Sequence, residues 1–230
     1  MIAGLHRTPI ATITLFAVTA TVSVVGLAVP TVTAALERYP TVLHGEPWRL
    51  LTSLLVQDGG VAGTASNLLF LAVLGAAVEQ VVSRPRMLLC YLLAGVAGQT
   101  TGLLWQPSGA GNSVAVCGLA GVLAWSVTDR AAPPWSTSAT ALWLGALLAT
   151  WSLPLVLLGV AGTVTDRVAG GVRRRPGPVR TGLLVASVLV GVVLVCVRNV
   201  HGPALLVGLV AGRVFSGCHT TAVSPQMSSR

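Results

Sequence analysis

Long apolar blocks alternate along this chain with short connections that hold nearly all of its charge. Blocks at 9–30, 61–82, 87–105, 113–127, 137–163, 181–197 and 202–217 follow one another. A helix needs about 20 apolar residues to cross the hydrocarbon of a bilayer, so most of these blocks predict membrane spans. The first follows His6 and Arg7 and exceeds the roughly 7–15 apolar residues of a signal-peptide core, which favours a first transmembrane helix. The block at 113–127 is short. The connection at 31–60 is long and carries Glu37, Arg38, His44, Glu46, Trp48, Arg49 and Asp58. Within it Trp48-Arg49-Leu50-Leu51-Thr52-Ser53 is amphipathic, and Trp48 suits the headgroup boundary. The second block stops at Ser83-Arg84-Pro85-Arg86, where the proline ends a helix.

Composition turns this pattern into a class. Hydrophobic residues make up 53% of the chain, charged residues 9%, and the mean hydropathy is +0.82. An ordinary soluble domain is about 25% charged, so this composition predicts a polytopic, all-α membrane helix bundle contacting lipid. The net charge of +8 does not point to nucleic acid, because the arginines sit in short loops between apolar blocks, as orienting charges do. Cys90, Cys117 and Cys196 lie inside apolar runs and Cys218 follows one. None has metal-ligand spacing, and they read as small buried residues. No metal site and no cofactor fingerprint is present. Residues 1–217 are expected to form a single transmembrane domain, and 218–230 a short polar, disordered tail.

The arginines also bear on topology. A single crossing at 137–163 would put the basic loop 167–180 opposite the Arg84/Arg86 turn. If that segment instead enters and returns on one side, Arg7, Arg84, Arg86, Arg130, Arg167, Arg173, Arg174, Arg175, Arg180, Arg213 and Arg230 lie inside. Arg38, Arg49 and Arg198 then lie outside. The segment is too short for two crossings. The sequence therefore predicts six full spans plus one irregular or re-entrant segment near Ser152-Leu153-Pro154, with arginine-rich loops on the cytoplasmic side of a bacterial cell membrane.

In that arrangement three polar residues fall at one depth toward the external side: Asn67, Ser113 and His201. A hydroxyl, an imidazole and an amide brought together are the parts of an acyl-transfer site, as nucleophile, general base and oxyanion donor. Each also has a plainer reading. Ser113 could cap its helix, His201 could bond a loop carbonyl, and Asn67 could hold two helices together. Cys117, one turn below Ser113, is a weaker nucleophile candidate, since an apolar setting suppresses the thiolate. Glu79 lies at the opposite end of its span and reads as structural, a partner for Arg84, Arg86 or backbone donors.

Several of these pieces resemble the rhomboid family of intramembrane serine proteases. Trp48-Arg49-Leu50-Leu51-Thr52-Ser53, Asn67-Leu68-Leu69-Phe70 and Leu74-Gly75-Ala76-Ala77-Val78-Glu79 look like that family's first loop and second helix. Gly111-Asn112-Ser113 with Gly118 and Gly121 resembles its G-x-S-G motif, and Ala204 and Leu205 with Gly208 and Gly212 are similar to its last helix. The resemblance covers roughly residues 40–215. It implies a serine–histidine dyad of Ser113 and His201, an oxyanion role for Asn67, transmembrane protein substrates, and no cofactor. The chain departs from the family pattern at Gly63 and Gln57, where histidines are usual, at Val114, where glycine follows the serine, and at Leu205, the histidine position of the last helix. His201 lies one turn earlier. For Ser113 and His201 to meet, the last helix must sit a turn out of register or its loop must fold inward. These departures leave a second possibility open, a proteolytically inactive rhomboid-like protein that binds transmembrane helices.

Overall fold

The computed structural model describes residues 5–127, 129, 131–149 and 176–217. The expected break near Pro154, the arginine loop from 167 to 175 and the tail at 218–230 lie outside the described residues. Among those described, the regular structure is helical, with an isolated bridge between Arg38 and Gly109.

Helix boundaries follow local chemistry. α1 (Ile10–Ala28) ends at Val29, which the following Pro30 holds in an extended conformation, and α2 (Pro30–Leu36) starts on that proline. A 3₁₀ turn (Pro40–His44) stops at Gly45, whose φ of 107° suits glycine, and α3 (Arg49–Thr52) is one amphipathic turn. α4 (Gly60–Val81) and α5 (Arg84–Trp105) are joined through extended Val82 and Ser83, with Pro85 in the first turn of α5. α6 (Ser113–Ser126), α7 (Ser136–Ala149), α8 (Pro176–Cys196) and α9 (His201–Gly217) complete the described helices.

Four described segments are long and apolar enough to cross a membrane: Ile10–Ala28, Gly60–Val81, Arg84–Trp105 and Gly177–Cys196. Two of the six predicted full spans, Ser113–Ser126 and His201–Phe215, are shorter, and these begin with the candidate serine and histidine. The 14 residues of α6 extend about 21 Å, against about 30 Å of hydrocarbon. Its ends therefore fall short of at least one membrane surface. Ile13, Val24, Leu189 and Val193 are exposed large apolar side chains on α1 and α8, a surface suited to lipid. The chain is an integral membrane protein.

α6 is the centre of the bundle. All its residues except Ser113 and Trp125 are buried, as expected of a helix apolar on every side. It packs against α4, α5, α7, α8 and α9. Its contact with α9 is backbone to backbone: a Cβ on Gly208 would lie 2.3 Å from the Gly118 carbonyl oxygen, and one on Gly121 would lie 2.5 Å from the Gly208 carbonyl carbon. The glycines thus let the two helices approach at van der Waals distance, with Ser113 and His201 both in first turns.

A candidate serine–histidine site

The segment before Ser113 is clamped from two sides. Arg38 and Gly109 exchange backbone hydrogen bonds of 2.9 and 3.2 Å, and Gly111 N–H donates to the Ser53 carbonyl at 2.9 Å. The buried Arg38 guanidinium donates to Gln99 Oε1 and to the carbonyls of Gln106 and Ser108. Gly102 leaves it room, since a Cβ there would lie 2.4 Å from Arg38 Cζ. Burial pulls the Arg38 pKa below its ordinary value, and the Asp58 carboxylate acts in the opposite direction. Asp58 Oδ2 also accepts from Ala110 N–H at 3.0 Å. Gly109 and Gly111 have φ of 153° and 144°, conformations that L side chains rarely adopt. Sequence reasoning placed Arg38 and Asp58 in the right connection but gave them no part in the site. The charges themselves were the signal, since a long polar loop in so apolar a chain needs internal partners.

Ser113 and His201 meet. Their Oγ and Nε2 atoms are 2.9 Å apart, and His201 Nδ1 lies 2.6 Å from Asn199 Oδ1. Asn112 stands at the cap of α6, leaving Ser113 as the first helical residue, so the serine hydroxyl turns to the imidazole instead of capping the helix. His201 in turn opens α9. Leu205, in the position where the family pattern has histidine, is fully buried in the core. The register difference is thus met at the helix start: a first-turn imidazole reaches a first-turn hydroxyl across the glycine-packed helix pair.

Val114 does not fill the site. Its Cγ1 occupies the space above Gly98 on α5, where a Cβ would lie 2.1 Å from it. The same missing side chain accommodates the Val200 carbonyl oxygen, at 2.7 Å from that Cβ position. Gly98 therefore receives both the residue after the serine and the turn that carries the histidine.

Asn67 is part of a chain of amides beside the serine. Its Nδ2 donates to Gln57 Oε1 at 2.8 Å, and Gln57 Nε2 donates to Asn112 Oδ1 at 3.1 Å. A Cβ at Gly111 would lie 3.3 Å from Gln57 Oε1, 3.4 Å from Ser113 Oγ and 3.7 Å from Asn67 Nδ2, so all three groups surround one point. Cys117 is fully buried in the core and stands apart from this polar cluster. Glu79 is at the other end of α4, bonded to Arg84 and to the start of α1. Among the described residues no group of three or more His, Cys, Asp or Glu could hold a metal ion. Asn199 escaped the sequence reading. An Asn two residues before the first turn of a helix is a capping signal, and that could have singled it out.

A polytopic helical membrane protein with a recessed serine–histidine pair is the class that this fold and site define. The pattern of the rhomboid domain matches residues 44–172, more than half of the chain. The chain belongs to the rhomboid family. The matched residues include Asn67 and Ser113 and end before His201. The chain is also similar to a protein of Bacillus subtilis (strain 168) described as rhomboid protease GluP, with 40% identity over 83 residues. That stretch is 36% of this chain and 16% of the relative's length.

Proposed function

We propose that the protein is an intramembrane serine protease that cuts transmembrane protein substrates. The observation that carries this reading is the 2.9 Å approach of Ser113 Oγ to His201 Nε2, within the range for proton transfer to a general base. Membership of the rhomboid family and similarity to a relative described as a protease support it. Ser113 Oγ attacks the scissile carbonyl carbon while His201 Nε2 takes its proton. The negative oxygen that forms is held by Asn67 Nδ2 and by first-turn N–H groups of α6, which have no carbonyl a turn ahead to bond. Collapse of the intermediate passes the proton from Nε2 to the leaving amine nitrogen, and water then releases the acyl group from Ser113 by the same steps in reverse. The positive-inside preference puts this site toward the external face, and the relative's source is consistent with a bacterial cell membrane.

The test is labelling of the purified protein with a serine-directed phosphonate, together with cleavage of a panel of transmembrane substrates. Labelling lost in Ser113→Ala and in His201→Ala is the expected result. A folded wild-type protein that neither labels nor cuts would overturn the reading. Leu205 in the family's histidine position and Gly63 in another favour the second reading, a rhomboid-like protein that binds transmembrane helices without cutting them. In that case Ser113→Ala keeps its helix binding and its biological effect.

A further inference from the structure

The histidine has a second partner whose geometry determines more than its position. Asn199 Oδ1 lies 3.0 Å from the backbone N of His201 and 2.6 Å from its Nδ1. A backbone N–H can only donate, so the atom facing it must be the amide oxygen rather than the amide nitrogen. That oxygen accepts through two lone pairs and has nothing to donate. The ring nitrogen facing it must therefore carry the proton. Neutral imidazole holds one N–H, which leaves Nε2 unprotonated toward Ser113 Oγ. The opposite tautomer would place two acceptors 2.6 Å apart at Asn199 and present an N–H where the serine proton must go.

The turn holding Asn199 is itself anchored. At the end of α8, Arg198 N–H donates to the Val195 carbonyl at 2.9 Å and Asn199 N–H to the Leu194 carbonyl at 2.8 Å. Arg198 takes the left-handed conformation at φ 58° that this type of helix ending requires. Gly202 N–H then returns to the Asn199 carbonyl at 3.1 Å. Val200, between the two polar residues, is buried. The amide is thus presented from a fixed backbone.

We propose that Asn199 is a positioning residue that holds His201 in the tautomer able to accept the Ser113 proton, making the site an oriented Ser–His–Asn set rather than an unsupported pair. This rests on the protease reading above. Asparagine serves the same geometric role toward a catalytic histidine on unrelated folds. When Ser113 Oγ bonds to the carbonyl carbon, its proton moves to Nε2 and the ring becomes a cation. Nδ1–H stays on Asn199 throughout, and the Nε2 proton leaves with the amine.

Three variants separate this role from simple helix capping. Serine is a good cap but too short to reach the ring, so Asn199→Ser keeps the acceptor for His201 N–H and removes the one for Nδ1. Asn199→Asp keeps both acceptors, and Asn199→Ala keeps neither. The full chain in lipid nanodiscs, with ¹⁵N-labelled histidine, gives the tautomer directly from the two ring-nitrogen shifts, the His201 signals being assigned by their loss in His201→Gln. Wild type and Asn199→Asp are expected to show protonated Nδ1 and bare Nε2. Asn199→Ser and Asn199→Ala should show protonated Nε2 and phosphonate labelling slower by about tenfold or more, and Asn199→Ser should keep the wild-type unfolding midpoint. A wild-type spectrum with protonated Nε2 overturns the proposal whatever the activity. So does Asn199→Ser labelling at the wild-type rate with an unchanged spectrum. A wild-type protein with the expected spectrum that loses it in Asn199→Ser, yet neither labels nor cuts, defeats the protease reading and leaves the ring-positioning role standing.

Discussion

Two polar clusters sit at opposite ends of this apolar bundle, and they use their hydrogen-bonding capacity differently. At the Glu79 end the carboxylate is fully buried and takes four donors. These are Ala11 N–H at 3.2 Å, Thr12 N–H at 2.9 Å, Thr12 Oγ1 at 3.0 Å and Arg84 Nε at 3.0 Å. Two are first-turn amides of α1, so a residue on α4 closes the open end of another helix and complements its dipole. Gln80 beside it accepts from His6 and Arg7 N–H, each at 3.0 Å. Everything there is committed to holding α1 against α4 and α5. At the Ser113 end the charged Arg38 and Asp58 hold the preceding loop, while the hydroxyl, imidazole and amides themselves are uncharged groups with only part of their capacity spent. Asn67 Nδ2 uses one bond on Gln57, and Ser113 Oγ shares one hydrogen bond with the His201 ring. A saturated charged cluster ties helices together, whereas a neutral cluster with donors to spare can meet an incoming carbonyl.

That contrast can be broken by substitution. Ser113→Ala should remove phosphonate labelling altogether and slow cleavage by about 10³-fold or more, with the unfolding midpoint in detergent unchanged. Glu79→Ala should do the reverse. Losing the acceptor for two α1 amides and for Arg84 costs about 3 kcal/mol of stability, measured by chemical unfolding, while the folded fraction labels at the wild-type rate. A smaller effect is expected for Asn67→Ala. Loss of an oxyanion donor slows turnover by about 10²-fold, with KM for substrate little changed and about 1 kcal/mol or less of stability lost. Cys117→Ala sharpens the comparison at its lower limit. The buried thiol contributes packing only, so stability falls by about 1 kcal/mol and labelling is unaffected. A Cys117→Ala protein that stopped labelling would move the nucleophile one turn down α6.

Most of the helix order was legible from hydropathy, because runs of apolar residues longer than about 18 are hard to read otherwise. The predicted starts at 61, 113 and 202 fall within one residue of Gly60, Ser113 and His201. The short block at 113–127 was visible in the hydropathy and α6 is short, but hydropathy could not say that this helix lies at the buried centre of the bundle. The three polar residues were legible as a group because each is anomalous in an apolar setting. The approach of Ser113 to His201 was not, because counting along the last helix aligned Leu205 with the serine. Register by counting assumes that the reacting groups sit at equal depth within two helices. Here both sit at helix starts, and an imidazole spans the offset. Arg38, Asp58 and Asn199 were missed for a related reason: each acts through a loop, where spacing carries no periodic signal.

The space above Gly98 has one more consequence. Between α5 and α6 there is room for one side chain, and this chain places it on Val114 rather than on residue 98. Restoring the family's glycine after the serine would therefore not repair a defect. Val114→Gly alone would open a void between two helices that now touch, and moving the methyl groups across to position 98 would not refill it, because a Cβ there would lie 2.7 Å from the Val200 carbonyl oxygen. The motif here is written on two helices at once, and a substitution scored against one of them will be scored with the wrong sign.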